Sequence, residues 1–258
     1  MRHHPNPLFC QSVITGLRDG FWPWPEKLEE YPLTYDNSHR PPKNDEEQNF
    51  LKHQVLFEQK AGRLSVPFGP DLLPGMYSPP VHTILKPSSE KLCMVVDHSA
   101  GKYSLNSIID PKDIAGVKLN EIHSLGISLR TFRADNPNAK LVIFKSDMGT
   151  AYCQMPMHFL YQLLTIITVD NECRIDHCNN FGNRGSQKIW QSFMSLVMWI
   201  LVFQRDLKHL KCYMDDVFSF SADGNLAFYP PYNRWMPSKQ VTILQLWDEI
   251  RLLHEDAK

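Results

Sequence analysis

Hydrophobic and polar positions change texture near residue 80. Before it one stretch is periodic: Phe50, Leu51, Val55 and Phe57 recur near the 3.6-residue period, which predicts a helix from Asp45 to Ala61, ended by the Gly and Pro that follow. The rest of residues 1–80 is rich in proline, with Phe21-Trp22-Pro23-Trp24-Pro25 and a polar run from Asn37 to Gln48. It predicts an extension lying on a surface, without a core of its own. From Val81 onward short apolar runs are separated by polar turns, and His82 to Leu85 with Leu92 to Val96 predict a pair of strands.

Further along, Val117, Leu119, Ile122, Leu125 and Leu129 predict a helix over residues 115–130, and Lys140 to Asp147 a buried strand that ends in a carboxylate. Met157 to Leu164 predicts a helix, and Thr165 to Cys178 two strands around a turn at Asp170-Asn171. Gly185-Ser186 opens a long helix carrying Ile189, Trp190, Phe193, Leu196, Val197, Ile200 and Leu201, and its apolar run Phe193 to Phe203 predicts burial all round. Leu210 to Phe220 is a strand, an acidic turn and a returning strand, and Val241 to Leu253 an amphipathic helix. There is no internal repeat.

A chain of 258 residues, 43% hydrophobic and 21% charged, is long enough for one large or two modest domains and excludes a disordered protein or a disulfide-stapled miniature. The net charge of −1 gives no bulk attraction to nucleic acid, membrane or acidic partners. Any polyanion site must be local. The six cysteines follow no secretory leader, since Met1-Arg2-His3-His4 leads into Pro and Asn, so a reducing, intracellular compartment is expected. The apolar run ending at Phe203 is well short of the roughly 20 residues that span a bilayer, and no membrane partner is expected.

Chemistry concentrates in three aspartates. Taken singly, Asp at a strand end is a turn or cap residue. Together, Asp147 at the end of one strand and Asp215-Asp216 at a hairpin tip would put three carboxylates on one sheet edge, a hard-cation site for Mg²⁺, or Mn²⁺, of the kind that serves phosphoryl transfer with two ions. Cys153, His158, Cys173, His177 and Cys178 lack paired zinc-ligand spacings and read as small buried thiols and ordinary histidines.

Tyr213-Met214-Asp215-Asp216 between apolar strands resembles the catalytic hairpin of reverse transcriptases. Phe144-Lys145-Ser146-Asp147-Met148-Gly149-Thr150-Ala151-Tyr152, followed by Gln154 and Pro156, is similar to that family's first catalytic strand. Asn180-Phe181-Gly182-Asn183-Arg184-Gly185-Ser186-Gln187-Lys188-Ile189-Trp190 resembles its next block, and Lys86 to Asp97 its fingers strand. The blocks come in the family's order, cover about residues 75–258, and look most like reverse transcriptase-like proteins of fungal retroelements.

The resemblance implies an α+β fold: a right-hand polymerase palm and fingers, with an antiparallel palm sheet backed by helices. Residues 1–80 would be an N-terminal extension and 81–258 the fingers and palm, the fingers coming mainly from 81–140 and 157–184. The end at Lys258 implies a truncated copy without primer-gripping hairpin, thumb or ribonuclease H domain. The implied activity is RNA-directed DNA synthesis on an RNA or DNA template with primer, from deoxynucleoside triphosphates. Asp147 and Asp215 would bridge two Mg²⁺ ions, with Asp216 a weaker ligand. Backbone amides from Met148 to Ala151 would face the triphosphate, Tyr152 would lie under the sugar, Gly182 would admit the template base, and Lys86 or Lys91 would meet phosphate oxygens. Cys93 stands where the family usually has an arginine, and Cys153 where a basic residue is common. That departure points to an alternative, a catalytically idle remnant that at most binds nucleic acid.

Overall fold

The computed structural model describes residues 3–26, 28–86, 90–120 and 122–256. In chain order the elements are α1 (Pro7–Asp19), β1 (Tyr35–Asp36), α2 (Asp45–Lys60), β2 (Tyr77–Ser78), β3 (Val81–Leu85), β4 (Leu92–Val96), α3 (Ile122–Asp135), β5 (Leu141–Met148), α4 (Phe159–Gln162), β6 (Ile166–Val169) and β7 (Glu172–Ile175). They continue as α5 (Ser186–Trp199), β8 (Lys211–Tyr213), β9 (Asp216–Ala222), β10 (Leu226–Tyr229), β11 (Arg234–Pro237), α6 (Ser238–Glu249) and β12 (His254–Glu255). The fold is mixed α+β, its sheets small and antiparallel except for the two-residue parallel pair β1–β2. Among the described residues no helix is long and apolar enough to cross a membrane.

The chain divides into two compact units, one of Met1–Cys10, Gly116–Gln154 and Trp190–Lys258, the other of Gln11–Ala115 and Met155–Ile189. We call them the first and second unit. In the second, α2 starts where the Asn44 side chain accepts the amide of Glu47 at 2.9 Å, with Asp45, Glu46 and Glu47 placed favourably in its first turn. It buries Leu51 and Val55 with Leu64, Val81, Val96, Ile167 and Val169. The β6–β7 turn falls at Asp170 and Asn171, both with positive φ, as a two-residue hairpin turn requires.

Part of the segment 1–80 shares a core with later residues instead of lying on a surface. Leu51, Val55, Leu64, Met76 and Tyr77 are buried in the second unit, and α1, which the proline count obscured, occupies Pro7–Asp19. The helix expected over 157–164 shrinks to Phe159–Gln162.

The first unit is built on a four-stranded sheet of order β12-β5-β9-β8. Behind it lie the buried Trp190, Met194, Val197 and Leu201, with Val241, Leu244 and Trp247 of α6. Three expectations change here. The helix expected over 115–130 begins only at Ile122, because Gly116 takes φ +88 and Asn120 pairs with Cys212, its amide donating at 3.2 Å and its side chain accepting at 2.9 Å. β5 is not buried throughout: β12 covers only its last two residues, so Ile143 stays 60% exposed. The apolar run after α5 passes into a π-helical turn, Ile200–Gln204, that buries Leu201 but leaves Phe203 71% exposed. A hairpin, β10–β11, also forms where Pro230 and Pro231 gave no strand signal.

Candidate functional site

The acidic residues are placed by strand register. β5 and β9 pair antiparallel with Asp147 opposite Asp216, and the Met148 amide donates to the Asp215 carbonyl at 3.3 Å. β8 and β9 meet at Tyr213 and Asp216, leaving Met214 and Asp215 as a two-residue turn. Met214 takes φ +56, a conformation costly for a residue with a side chain, and the surroundings hold it there. The indole of Trp190, fully buried in α5, donates to the Met214 carbonyl at 2.9 Å. Asn120 anchors the neighbouring Cys212.

Three of the predicted residues thus share one end of the sheet, and two unpredicted ones join them. Lys145, two residues before Asp147 and so on the same face of β5, places Nζ 2.9 Å from Asp216 Oδ1 and 3.9 Å from Asp147 Oδ2. Glu255 on β12 is the register partner of Asp147 on the other side. Burial pushes the Asp147 carboxyl above its usual range. Asp216, Asp215 and Glu255 push the same way, and the Lys145 ammonium opposes them. Lys145 is in turn held protonated more firmly, first by its hydrogen bond to Asp216. The period-two rule could have drawn attention to Lys145. No local signal marks Glu255.

Tyr152 and Ala151 are buried in the 3₁₀ turn after β5. The phenol is pushed up to about 12, by burial first and by Asp215 second, and its ring lies edge-on to Trp190 at 6.2 Å. Gln154 fixes the loop, donating to the Gly149 and Leu253 carbonyls at 2.7 and 3.1 Å while accepting the Leu253 amide at 2.7 Å.

The other expected nucleotide contacts belong to the second unit. Lys86 and Lys91 are exposed at the turn end of the β3–β4 hairpin, where the Lys86 amide donates to the Lys91 carbonyl at 2.9 Å. Pro87, Ser88 and Ser89 of that motif lie outside the described residues. Cys93 is half-buried on β4 opposite Ile84. Gly182 is needed for packing: a Cβ there would come within 2.1 Å of the Val96 carbonyl oxygen, and its own carbonyl accepts from Asn106 at 2.8 Å. Cys10, Cys93, Cys173 and Cys212 are thiols outside any disulfide.

The donor set suits Mg²⁺ or Mn²⁺ in chemistry, being carboxylate oxygens on adjacent strands, and a stand-in cation is already present in the Lys145 ammonium between Asp147 and Asp216. Among the described residues, however, no three His, Cys, Asp or Glu side chains gather closely enough to hold an ion. Two carboxylates around one ammonium is the arrangement observed. Compared with known proteins, the chain matches no family model and no curated protein.

Proposed function

We propose that the protein is a reverse transcriptase-like nucleotidyltransferase, with the first unit acting as palm and the second as fingers. The observation that carries this reading is the register of β5, β9 and β8, which sets Asp147 opposite Asp216 and Asp215 in the tight turn beside them. In the reaction the primer 3′-oxygen bonds to the α-phosphorus, the bond to the bridging oxygen of the pyrophosphate breaks, and pyrophosphate leaves. Asp147 and Asp215 would hold two Mg²⁺ ions with Asp216 alongside, and such ions supply charge stabilisation to attacking and leaving oxygens. Lys145 holds one oxygen of Asp216 and would compete with an ion for that carboxylate. Tyr152, held against Trp190, would present its ring to the sugar. Lys86 and Lys91 are exposed and can meet phosphate oxygens.

A second reading, an idle remnant that binds nucleic acid, is favoured by the ammonium seated between the carboxylates and by the lack of a three-ligand cluster among the described residues. Primer extension on an RNA template with Mg²⁺, run beside Mn²⁺ titration calorimetry, separates the two. Extension that vanishes in Asp215→Asn, with Mn²⁺ binding weakened in the same variant, supports the enzyme. Absence of both from the unaltered protein overturns it.

A further inference from the structure

The nucleotidyl-transfer reading leaves two features of the first unit unused. One is a group of cations without acidic partners. His209 takes φ +62 and stacks on Phe220 at 5.1 Å, and Lys239 of α6 sets its ammonium 5.3 Å over the same ring. Lys239 donates to the carbonyls of Lys208 and Phe220 at 2.9 and 2.7 Å, so neutral oxygens satisfy its hydrogen bonds and leave its charge uncompensated. Lys208 is exposed, and Lys211 opens the edge strand β8. None of these three lysines forms an ion pair among the described residues, and the neighbouring Arg205 already binds Glu249. The nearest acid along the chain is Asp206. Besides burial, all three lysines lower the affinity of the His209 ring for a proton.

The other feature is an aromatic ledge. On the β10–β11 hairpin the register partners Phe228 and Trp235 lie 5.7 Å apart, 43% and 65% exposed, while Tyr229 and Met236 on the opposite face are buried. An exposed cross-strand pair of this size, with Leu226 beside it, is apolar surface that a solitary hairpin has no folding reason to show. Both features adjoin one junction. Ser238 closes the hairpin base on Asn225, its amide donating at 2.9 Å and its hydroxyl at 2.8 Å, and Lys239 follows it directly.

We propose that the hairpin ledge and the Lys208 and Lys211 pair, joined through Lys239 at the hairpin base, form a contact face for single-stranded nucleic acid, distinct from the carboxylate end of the sheet. Flat rings beside uncompensated cations match bases alternating with phosphates. An acidic peptide would use the charges but not the rings. The choice of partner rests on the polymerase reading; the surface does not depend on catalysis.

The test is fluorescence anisotropy of a labelled oligo-uridine and a labelled oligo-thymidine on the full chain, without divalent cation or nucleotide, over a salt series. Removing both rings (Phe228→Ala with Trp235→Ala) should weaken binding on the order of tenfold, and Trp235→Phe should recover most of it. Lys208→Gln with Lys211→Gln should lower the salt slope by about 0.7 for each phosphate no longer neutralised. Asp215→Asn should bind like the unaltered protein even if every extension assay fails, which separates this face from the proposed chemistry. Unchanged binding by the ring variant, or tighter binding of oligo-glutamate or of phosphatidylserine vesicles than of either oligonucleotide, overturns the proposal. Phe228, Trp235 and Lys208 are exposed and Lys211 is half-buried, and a melting curve for each variant checks that it folds.

Discussion

Asp147 in the first unit and Asp176 in the second are both pushed above the usual carboxylate range, and burial is the leading cause for each. Their surroundings then diverge. Asp147 is partly open to water, beside the Lys145 ammonium and among other carboxyl groups. Asp176 is enclosed. It accepts the Cys178 amide at 3.0 Å and the Asn180 side chain at 3.3 Å, has no ion pair among the described residues, and reaches about 7. Through Asn180, 3.0 Å from His98 Nε2, it adjoins a buried imidazole pushed down to about 4. One interior thus disfavours charge on an acid and on a base together, whereas the open sheet end leaves its carboxyl groups within reach of a ligand. Residue type is the same in the two places; solvent access decides what it can do.

The sharpest way to break this contrast is to neutralise the open cluster. Asp147→Asn or Asp215→Asn should reduce nucleotide incorporation on the order of a thousandfold or more while leaving the melting temperature unchanged or slightly raised, because like-charge repulsion is relieved. Extension at the unaltered rate would place the chemistry elsewhere. Next in size is Trp190→Phe, which strips the Met214 carbonyl of its indole donor and should cost about 1–3 kcal/mol in urea unfolding, with loss of any incorporation activity as the turn loosens.

The enclosed pair is probed by pH. Asp176 holds its proton up to about 7 in the folded state against 3.8 for the free group, so its contribution to stability falls as pH rises from about 4 to about 7 and is flat above. His98 acts oppositely: the unfolded chain takes up a proton near 6.5 and the folded one only near 4, so stability is lost as pH falls through that window. In the unaltered protein the two slopes oppose each other. Asp176→Asn should therefore melt higher than the parent at pH 8 and lose more of its melting temperature on acidification to 4.5. Parallel melting curves for the two proteins across that range would show that the fold does not raise the Asp176 carboxyl. The smallest effect is expected at Lys145. Both partners of its ion pair are substantially exposed, so Lys145→Met should change stability by less than about 1 kcal/mol, yet tighten Mn²⁺ binding severalfold by freeing Asp216. Weaker Mn²⁺ binding would mean that the lysine supports the site and does not compete for it.

Much of the α2 helix and the β6–β7 hairpin was legible because their signals are local: an apolar 3.6-residue period, and an Asp-Asn pair able to take positive φ. The acidic hairpin was legible for the same reason, although it turns at Met214-Asp215 and Asp216 already opens β9. α1 and the β10–β11 hairpin were not, since proline-rich surroundings hide short elements whose stability comes from packing. Gly182 was singled out for the right property, the need for close approach, but what approaches it is the Val96 carbonyl of its own unit.

The amino-acid sequence by itself determined the α+β alternation, the strand carrying Asp147 and the tight hairpin at Asp215 and Asp216, because periodicity and turn chemistry act over a few residues. Only the tertiary structure decided that Asp147 faces Asp216, that Glu255 arrives at its other side and that Lys145 sits among them. It also decided that Asp176 and His98 are sealed away while Trp235 and Phe228 are left in water. Register between distant strands and exclusion of solvent are properties of the assembled sheet and core, set by which surfaces meet, and no window of sequence contains them.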